Sequence, residues 1–422
     1  MLNRTRRVIV LVGRDPSIDN DFVSELEHLV VLAVPTAGVE DPADPPIDWS
    51  GRGISIVESA RVERLTGALM AAMESGAVLL STEQADLAER HHLDALAWCM
   101  KLEDRLCDVS ERLVAAGVVD LRVVKGPAVA HLDELEPSLR TFGDLDLVVR
   151  GRDIDRTVDS LVKMGAERPY PQRRPGFDGR FAKSVTLTFS DRVEIDLHRT
   201  ICDGVHAVRV PVDRLFDDPA HFNIAGMSMA APSRRVRILH AAYHAVLGSP
   251  IPRLMSRRDL LGYLLASEVA SADAATAEGS AEASAAEALA DADTEAASAV
   301  DALDVSSVVG EAEAWNGIAV LHEAVASVLA LPGVNLPLWK AWFDDVEPSR
   351  AERQIVAAQR RDGSSYGRSR LRVVAELENW PDRLAYTAGV LFPSREHLRA
   401  RDMNRSTLFQ RGARGQRRDR GG

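Results

Sequence analysis

The sequence predicts an α/β protein of the α+β kind, in which a small mixed sheet is flanked by mostly α-helical regions. Two observations lead to this fold class. Short runs that alternate apolar and polar residues, which are typical of strands, are concentrated between residues 121 and 201. Apolar residues at three- and four-residue spacings, which are typical of helices, dominate the chain on both sides of that segment.

Length and composition limit the classes of protein that this chain can represent. It has 422 residues, and a single domain usually has about 150, so more than one folding unit is expected. Hydrophobic residues make up 46% and charged residues 27%, which excludes wholesale disorder and a fibrous repeat. The 63 acidic side chains exceed the 51 basic ones, and the net charge of −12 argues against a protein that mainly coats nucleic acid.

The cysteines and the longest N-terminal apolar run indicate the compartment. Cys99, Cys107 and Cys202 form no CxxC pair, as expected in a reducing cytoplasm. The apolar run at 8–12 is too short for a signal-peptide core or a membrane span. We therefore expect a soluble, cytoplasmic protein without a membrane partner.

The first 60 residues have the pattern of a small segment of their own. A strand-like apolar run at 8–12 is followed by an amphipathic stretch at about 21–28 and by a second apolar run at 29–34. This order predicts a small N-terminal α/β-like segment at 1–60. A proline-containing acidic stretch near its end separates it from the helical segment after residue 60.

The next two segments contain first helices and then strands. Residues 61–117 should form two or three helices that pack on the core. The apolar positions at helical spacing are Leu93, Leu96, Ala97, Met100, Leu106 and Leu113. Residues 118–231 should form the catalytic core, because nearly all of the chemical signal lies there.

The remainder of the chain is expected to be helical up to residue 400. Within the segment 232–400, helical patterns are found at 234–247, 312–329, 350–360 and 366–391. An insertion at about 265–304 is rich in alanine and acidic residues, so a surface helix and a partly disordered insertion both remain open. Residues 401–422 are basic and glycine-rich, which predicts a disordered tail.

The first chemical signal is a turn between a strand and a helix. Pro127 stands where the first turn of a helix tolerates proline, so the amide groups of a helix N-terminus would face outward. Gly126 would let a ligand approach the backbone closely, and Lys125 adds a positive charge, which together suit a phosphate group. For this turn alone, an ordinary chain reversal with a solvated lysine is the favoured interpretation.

The second signal is a set of acidic side chains on two strands. One strand places Asp144 and Asp146 on the same face with backbone positions about 7 Å apart, and another places Glu194, Asp196 and His198 on one face. Like charges this close repel each other unless a cation lies between them. Carboxylate oxygens suit Mg²⁺ or Mn²⁺. If the two strands are neighbours, three aspartates can form the divalent-cation site that phosphoryl or nucleotidyl transfer needs.

Three motifs resemble those of the nucleotidyltransferase superfamily of the DNA polymerase beta type, and within it a group of bacterial uncharacterised nucleotidyltransferases. They are Val-Lys-Gly at 124–126, Leu-Arg-Thr-Phe-Gly-Asp-Leu-Asp-Leu at 139–147 and Val-Glu-Ile-Asp-Leu-His at 193–198. The resemblance covers about residues 90–260. It extends more loosely to the later helices, where Leu-Phe-Pro-Ser-Arg-Glu-His at 391–397 looks like the closing segment of the family.

The resemblance implies a minimal mixed-sheet nucleotidyltransferase core. In it, Asp144, Asp146 and Asp196 would hold Mg²⁺ or Mn²⁺ and act in catalysis, and an NTP such as ATP would be bound near Lys125 and Gly126. The wider superfamily has Gly-Ser or Gly-Gly at the turn where the small residue contacts phosphate. This chain has Lys-Gly-Pro there.

Arginines close to these motifs offer further contacts to a nucleotide. Arg140, just before the first acidic strand, can bind phosphate oxygens or pair with Asp144, and both alternatives are open. Four more arginines lie in a loop between the helix after the first acidic strand and the second acidic strand. They suit a lid over a polyanion, although a solvated basic loop is an equally good interpretation. These residues are Arg168, Arg173, Arg174 and Arg180.

Two histidines four residues apart, His240 and His244, would share one face of a helix, as zinc ligands do in HExxH hydrolases. The glutamate of that motif is missing, which favours a structural or substrate-contacting pair over a zinc site. Together with Glu194 and His198, they are the accessory candidates for the site.

We therefore expect a Mg²⁺-dependent enzyme that transfers NMP from an NTP to a hydroxyl-type acceptor and releases pyrophosphate. The acceptor can be a small molecule, a protein or RNA, although the net charge disfavours nucleic acid. The alternative is a catalytically inactive nucleotide-binding or interaction module with the same fold. The enzymatic interpretation fails if Asp196 lies away from Asp144 and Asp146, or if a cationic side chain permanently fills the gap among them.

Overall fold

The computed structural model describes residues 20–32, 46–249, 253–283, 303–360 and 368–402. The α-helices in these ranges are α1 (Asn20–Leu32), α2 (Ser55–Val62), α3 (Thr66–Glu74), α4 (Thr82–Ala115), α5 (Gly126–Leu132), α6 (Ile154–Lys163), α7 (Phe177–Phe181), α8 (His206–Arg209), α9 (Arg234–Leu247), α10 (Leu254–Ala283), α11 (Val305–Ala314), α12 (Ile318–Leu329), α13 (Pro337–Asp345), α14 (Arg350–Arg360), α15 (Arg368–Glu376), α16 (Trp380–Leu391) and α17 (Arg395–Ala400). The strands are β1 (Ile47–Asp48), β2 (Val78–Leu79), β3 (Leu121–Val124), β4 (Leu145–Val149), β5 (Ser184–Thr188), β6 (Glu194–His198), β7 (Ala220–Ile224) and β8 (Met227–Ala231). A small mixed sheet among many helices confirms the predicted fold class.

The central sheet has four strands in the order β3-β4-β6-β5. β4 is parallel to β6, whereas β3 and β5 run antiparallel to their neighbours. The register places Asp146 opposite Asp196 and Val148 opposite His198. Because residues opposite each other on neighbouring strands share a face, the polar positions of β4 and β6 lie on one side of the sheet.

The two faces of this sheet differ as the alternation predicts. Leu145 and Leu147 of β4 and Ile195 of β6 lie on the apolar face and belong to a cluster with residues of α4 and α6. Val124 and Val148 point to the opposite side and join a larger cluster that includes α1, α3, α9 and α10. The polar face, which carries Asp146, is therefore covered by helices from both before and after the core in the chain.

The longest helix in the described part of the chain, α4, begins with a capping box in which Ser81 and Gln84 exchange hydrogen bonds. Two of the apolar positions that predicted this helix, Leu93 and Met100, are 56% and 70% exposed. Spacing establishes that the segment is helical, whereas the position of the sheet decides which stripe of the helix is buried. The buried stripe over the sheet consists of Cys99, Leu102, Leu106, Val109 and Leu113.

The N-terminal segment differs from its prediction where it can be compared. The expected strand at 8–12 lies outside the described residues. α1 includes the amphipathic stretch but continues through Leu32, so the second predicted strand is wrong over residues 29–32. Leu26, Leu29 and Val30 are fully buried. Their helical spacing, with contacts to α3 and α10, explains why this apolar run extends the helix.

Several of the expected segment boundaries can be compared with the elements. α2 crosses the boundary drawn at residue 60, and β1 pairs in parallel with β2 across it. The boundary after residue 231 coincides with the end of β8. The first part of the alanine-rich insertion is helical, because α10 continues through Ala283. Residues 284–302 and 403–422 lie outside the described residues. No helix in the described ranges combines the length and apolarity that crossing a bilayer requires.

Two of the expected C-terminal helices are each divided in two. The pattern at 312–329 is broken between α11 and α12, where Asn316 has a φ of 50°. Asparagine tolerates this left-handed conformation better than most residues. The pattern at 366–391 is broken before α16, whose first turn is capped by the side chain of Asn379.

A buried ion pair connects the segment before β4 to α10. The guanidinium of Arg140 binds both carboxylate oxygens of Asp259, with Nε–Oδ1 and NH2–Oδ2 distances of 2.8 and 2.9 Å. Its NH1 donates to the carbonyl oxygen of Thr141 at 2.5 Å. Both side chains of the pair are nearly inaccessible to solvent, so loss of one partner leaves a buried charge uncompensated.

We predict that Asp259→Asn lowers the free energy of unfolding by about 3 kcal/mol, because the Arg140 guanidinium stays buried without its counter-charge. Denaturant titration measures the change. The matched control is Asp344→Asn, which removes a carboxylate from an exposed pair with Lys340 and should change stability by less than about 0.5 kcal/mol. An effect of Asp259→Asn no larger than that of the control would contradict the prediction.

Candidate active site

The turn after β3 places a lysine on the polar face of the sheet. Lys125 has φ 54° and ψ −133°, a backbone conformation that favours glycine. Its Nζ donates a hydrogen bond to Oδ1 of Asp146 at 2.6 Å. A strained backbone conformation persists only where the surrounding structure holds it, and here the ion pair with a buried carboxylate contributes to holding it.

Gly126, the first residue of α5, is buried. A Cβ atom at this position would lie 2.9 Å from Cβ and Cγ of Phe142. Glycine is therefore required for the close packing of the turn against the segment that leads into β4. The close approach expected of a ligand at Gly126 is made here by the side chain of Phe142.

Asp146, Asp196 and His198 form a compact group with potential metal-ligand atoms within 4.8 Å of one another. The imidazole Nε2 of His198 lies 2.7 Å from Oδ1 of Asp146, which also accepts the bond from Lys125. Oδ1 of Asp196 accepts a hydrogen bond from the hydroxyl of Thr186 at 2.5 Å. Side chains from three neighbouring strands thus meet on the polar face.

Asp144 precedes β4 and lies at the rim of this group. Its carboxylate is 35% exposed, and its Oδ1 is 3.4 Å from Nη1 of Arg64, in the turn between α2 and α3. Among the described residues, the group of potential ligands comprises Asp146, Asp196 and His198 and does not include Asp144. Two of the three predicted aspartates therefore converge directly, while the third faces an arginine.

The pKa values around the group reflect burial and charge. Burial opposes ionisation of Asp146, but Lys125 and His198 outweigh it and hold the pKa of this carboxyl well below its usual range. Burial lowers the pKa of His198, and the attraction of Asp146 only partly opposes this. Burial and the negative charges of Asp196, Asp144 and Asp146 raise the pKa of Glu194. Four acidic groups thus interact on this face, and the group favours cations.

Lys183, just before β5, is a second lysine near the group. Burial, together with the positive charge of Lys125, lowers the pKa of its ammonium, while Asp146 partly opposes this shift. Two lysines thus lie close enough to Asp146 to respond to its charge. A site with this composition can attract both a divalent cation and an anionic ligand.

The histidines of α9 lie near the same turn. Burial and the neighbouring charge of Lys125 hold the pKa values of His240 and His244 well below the usual range, so both imidazoles are neutral. His244 Nδ1 lies 2.9 Å from the hydroxyl of Ser256 on α10. His240 Nε2 is buried and makes no hydrogen bond. The structure therefore brings both predicted accessory histidines close to Lys125.

Arg140 is directed to α10. Its guanidinium donates hydrogen bonds to the carboxylate of Asp259 and to the carbonyl oxygen of Thr141, so the proposed pairing with Asp144 is not observed. Binding of phosphate by Arg140 stays a prediction. In this structure, its guanidinium instead fixes the chain just before the acidic strand.

The arginine-rich loop before β5 packs against the C-terminal helices. Arg174 donates to the carbonyl oxygens of Ala388 and Phe392 at 3.2 and 3.0 Å, and Arg180 pairs with Asp382 of α16. Arg168 pairs with Asp178, and the guanidinium of Arg173 lies over the ring of Phe177 at 5.5 Å. These contacts dock the loop on the protein, in place of the mobile lid or solvated loop that the sequence left open.

Several residues of the site were missed from sequence. Thr186 had a detectable signal, because Ser184, Thr186 and Thr188 alternate with apolar residues in β5. Arg64 and Asp259 contact partners 80 and 119 positions away along the chain, and neither belongs to a motif.

Comparison with known proteins agrees with this geometry. Residues 52–248 match the model of a family described as uncharacterised nucleotidyltransferase. This range includes the central sheet, the turn at Lys125 and the acidic group, and it covers a little under half of the chain. Comparisons with curated proteins and with solved structures gave no match. The match thus confirms the predicted resemblance to nucleotidyltransferases over residues 52–248.

Proposed function

We propose that the protein is a Mg²⁺- or Mn²⁺-dependent nucleotidyltransferase that moves NMP from an NTP to a hydroxyl group and releases pyrophosphate. The observation that carries the proposal is the convergence of Asp146 and Asp196 from neighbouring parallel strands, beside a lysine on a strand-to-helix turn. The match of residues 52–248 to a nucleotidyltransferase family supports this class of reaction and an NTP as substrate. The acceptor and the base of the nucleotide remain open.

The donor set suits a divalent cation of the hard kind. Asp146 and Asp196 offer carboxylate oxygens, and the His198 nitrogen lies within 4.8 Å of both. If His198 only orients Asp146, the ligands offered to the cation are carboxylate oxygens, which suits Mg²⁺. If His198 itself ligates, the mixed set suits Mn²⁺ better. When bound, such a cation neutralises charge on the phosphates and lowers the barrier to attack at phosphorus.

The residues of the chain then have distinct roles in the proposed reaction. The acceptor oxygen attacks the α-phosphorus, the bond from this phosphorus to the bridging oxygen of the β-phosphate breaks, and pyrophosphate leaves. Asp196 is suited to take the proton of the attacking hydroxyl, because its observed hydrogen bond comes from the neutral hydroxyl of Thr186. Lys125 is suited to bind phosphate oxygens as a flexible point charge.

We assign the acceptor to a groove beside Asp144. This groove has a volume of about 490 Å³, and its walls include Glu58, Arg61, Arg64 and Trp98. Arg64 connects it to Asp144, and Trp98 donates a hydrogen bond from Nε1 to the carbonyl of Gly143 at 3.2 Å. Charges of both signs beside an aromatic ring favour a polar acceptor over an apolar one.

The Lys125–Asp146 ion pair favours a second candidate function. A lysine fixed on Asp146 would occupy the position of a divalent cation and leave a nucleotide-binding or interaction module without catalysis. The two candidates differ in whether Lys125 leaves Asp146 when a nucleotide is bound. Release of labelled pyrophosphate in the presence of a lysate-derived acceptor pool distinguishes them, because the inactive module binds nucleotide without turnover.

We predict that Asp146→Asn and Asp196→Asn each lower the rate of pyrophosphate release by more than about a hundredfold, because each removes a charged ligand of the cation. Labelled NTP with the full chain gives the measurement. Asp344→Asn, an exposed carboxylate-to-amide change on α13, should keep the parent rate. Turnover that survives in both aspartate variants would refute the proposed role of the acidic group.

Removal of divalent cations should abolish pyrophosphate release. The reason is that Asp146 and Asp196 alone cannot neutralise the charge of the triphosphate and instead repel it. Dialysis against a chelator followed by addition of Mg²⁺ or Mn²⁺ should restore the rate. A rate that is unchanged by chelation would rule out the metal-dependent mechanism.

We predict that Lys125→Met has opposite effects on two ligands. In the absence of nucleotide, Mn²⁺ should bind about tenfold more tightly, since the ammonium no longer competes for Asp146. NTP should bind about tenfold more weakly, because a charged hydrogen bond to phosphate is lost. Titration calorimetry measures both affinities.

The matched control for this test is Lys101→Met on α4, which removes a surface lysine that also pairs with a carboxylate, that of Asp191. It should leave both affinities unchanged. If Lys125→Met changes neither affinity relative to this control, Lys125 has a structural role, and the inactive module becomes the better interpretation.

A further inference from the structure

A small polar cavity lies between α5, α9 and α10, next to the acidic group. Its volume is about 30 Å³, roughly twice the space that one buried water needs. Lys125 lies on its wall and also contacts Asp146, so the ammonium connects the cavity to the acidic group. The cavity is further lined by Arg140, His240, His244, Ser256 and Asp259.

The cavity contains a hydrogen-bonding group without a partner. His240 is only 5% exposed, and its Nε2 makes no hydrogen bond. Buried polar side chains nearly always have a partner. An orphaned imidazole nitrogen on the wall of a polar cavity therefore indicates that a ligand or a solvent molecule completes its bonding.

The other polar groups of the cavity favour an anionic oxygen as that ligand. The carboxylate of Asp259 is already neutralised by the bidentate pair with Arg140. Ser256 Oγ and His244 Nδ1 are joined by one hydrogen bond of 2.9 Å. When the imidazole donates this bond, the hydroxyl proton of Ser256 is left to donate to an anion. The ammonium group of Lys125, which is bonded to Asp146, carries a positive charge and can instead bind an anion in the cavity. Neutral donors around one ammonium suit a phosphoryl oxygen better than a cation.

We propose that this cavity receives the terminal phosphoryl oxygens of the NTP, with His240 and Ser256 as donors and Lys125 at its mouth. The inference rests on the proposed function, because it assigns the cavity to the substrate of that reaction. Its volume, about that of two waters, has room for one or two oxygens at the end of a polyphosphate and excludes a nucleobase. Pyrophosphate and free phosphate share this chemistry, so the test must separate them from the nucleotide.

The test compares equilibrium binding of ATP, ADP and AMP to the full chain with Mg²⁺ and without an acceptor. Inorganic tripolyphosphate and pyrophosphate serve as probes that do not depend on the base. In His240→Gln and in Ser256→Ala, ATP and tripolyphosphate should bind about tenfold more weakly. ADP and pyrophosphate should lose less affinity, and AMP should bind as it does to the parent. His221→Gln, at an exposed position of β7, is the matched control and should match the parent throughout.

Three outcomes would overturn the inference: an equal loss for ATP, ADP and AMP, no loss for ATP in either variant, or no binding of tripolyphosphate to the parent. Thermal unfolding of each variant shows whether a loss arises from misfolding, and Ser256→Ala keeps the test valid if His240→Gln does not fold. The outcome is separable from that of the proposed function. If the affinity loss grows with the number of phosphates but the protein never releases pyrophosphate, the cavity proposal is supported and the catalytic proposal is contradicted. If the protein turns over NTP and both variants bind ATP as the parent does, the catalytic proposal is supported and the cavity proposal is contradicted.

Discussion

The structure of the site depends on one buried carboxylate. Asp146 lies on a central strand, almost out of contact with solvent, and an ionised carboxylate in such a place is costly unless cations or hydrogen-bond donors surround it. Lys125 and His198 supply both. The unusual backbone of Lys125 and the β4–β6 register bring these donors to the same oxygen. The same demand for positive charge makes Asp146 the strongest candidate for a metal ligand.

The need of Asp146 for a nearby positive charge also determines how the catalytic and inactive interpretations differ. A divalent cation on Asp146 and an ammonium 2.6 Å from the same oxygen compete for one carboxylate, and they can coexist if the lysine finds another anion. The phosphates of an NTP are such an anion. Metal and nucleotide would then favour each other's binding, because the nucleotide draws away the lysine that excludes the metal. In an inactive module, the ion pair would persist with nucleotide bound.

Sequence reasoning located the elements that carry local patterns and missed those set by distant packing. Alternation identified the polar faces of β4 and β6, and hence Asp146 and Asp196, because the strand period is a local property. The partner of Arg140 was missed since Asp259 lies 119 positions away, and no spacing rule connects the two. Spacing also left the buried side of α4 undefined, because the helical period is a local property, whereas the position of the sheet decides which side of the helix is buried.

Helices outside the family match contribute directly to the geometry of the site. The matched range ends at residue 248, yet α10 supplies Asp259 to Arg140 and Ser256 to His244. A further buried pair joins Arg258 of α10 to Glu134, in the same connection between α5 and β4. Since that connection joins the lysine turn to the acidic strand, a shift of α10 would move the two relative to each other. The matched segment alone therefore does not hold all the contacts that position its acidic group, and α10 belongs to the functional unit.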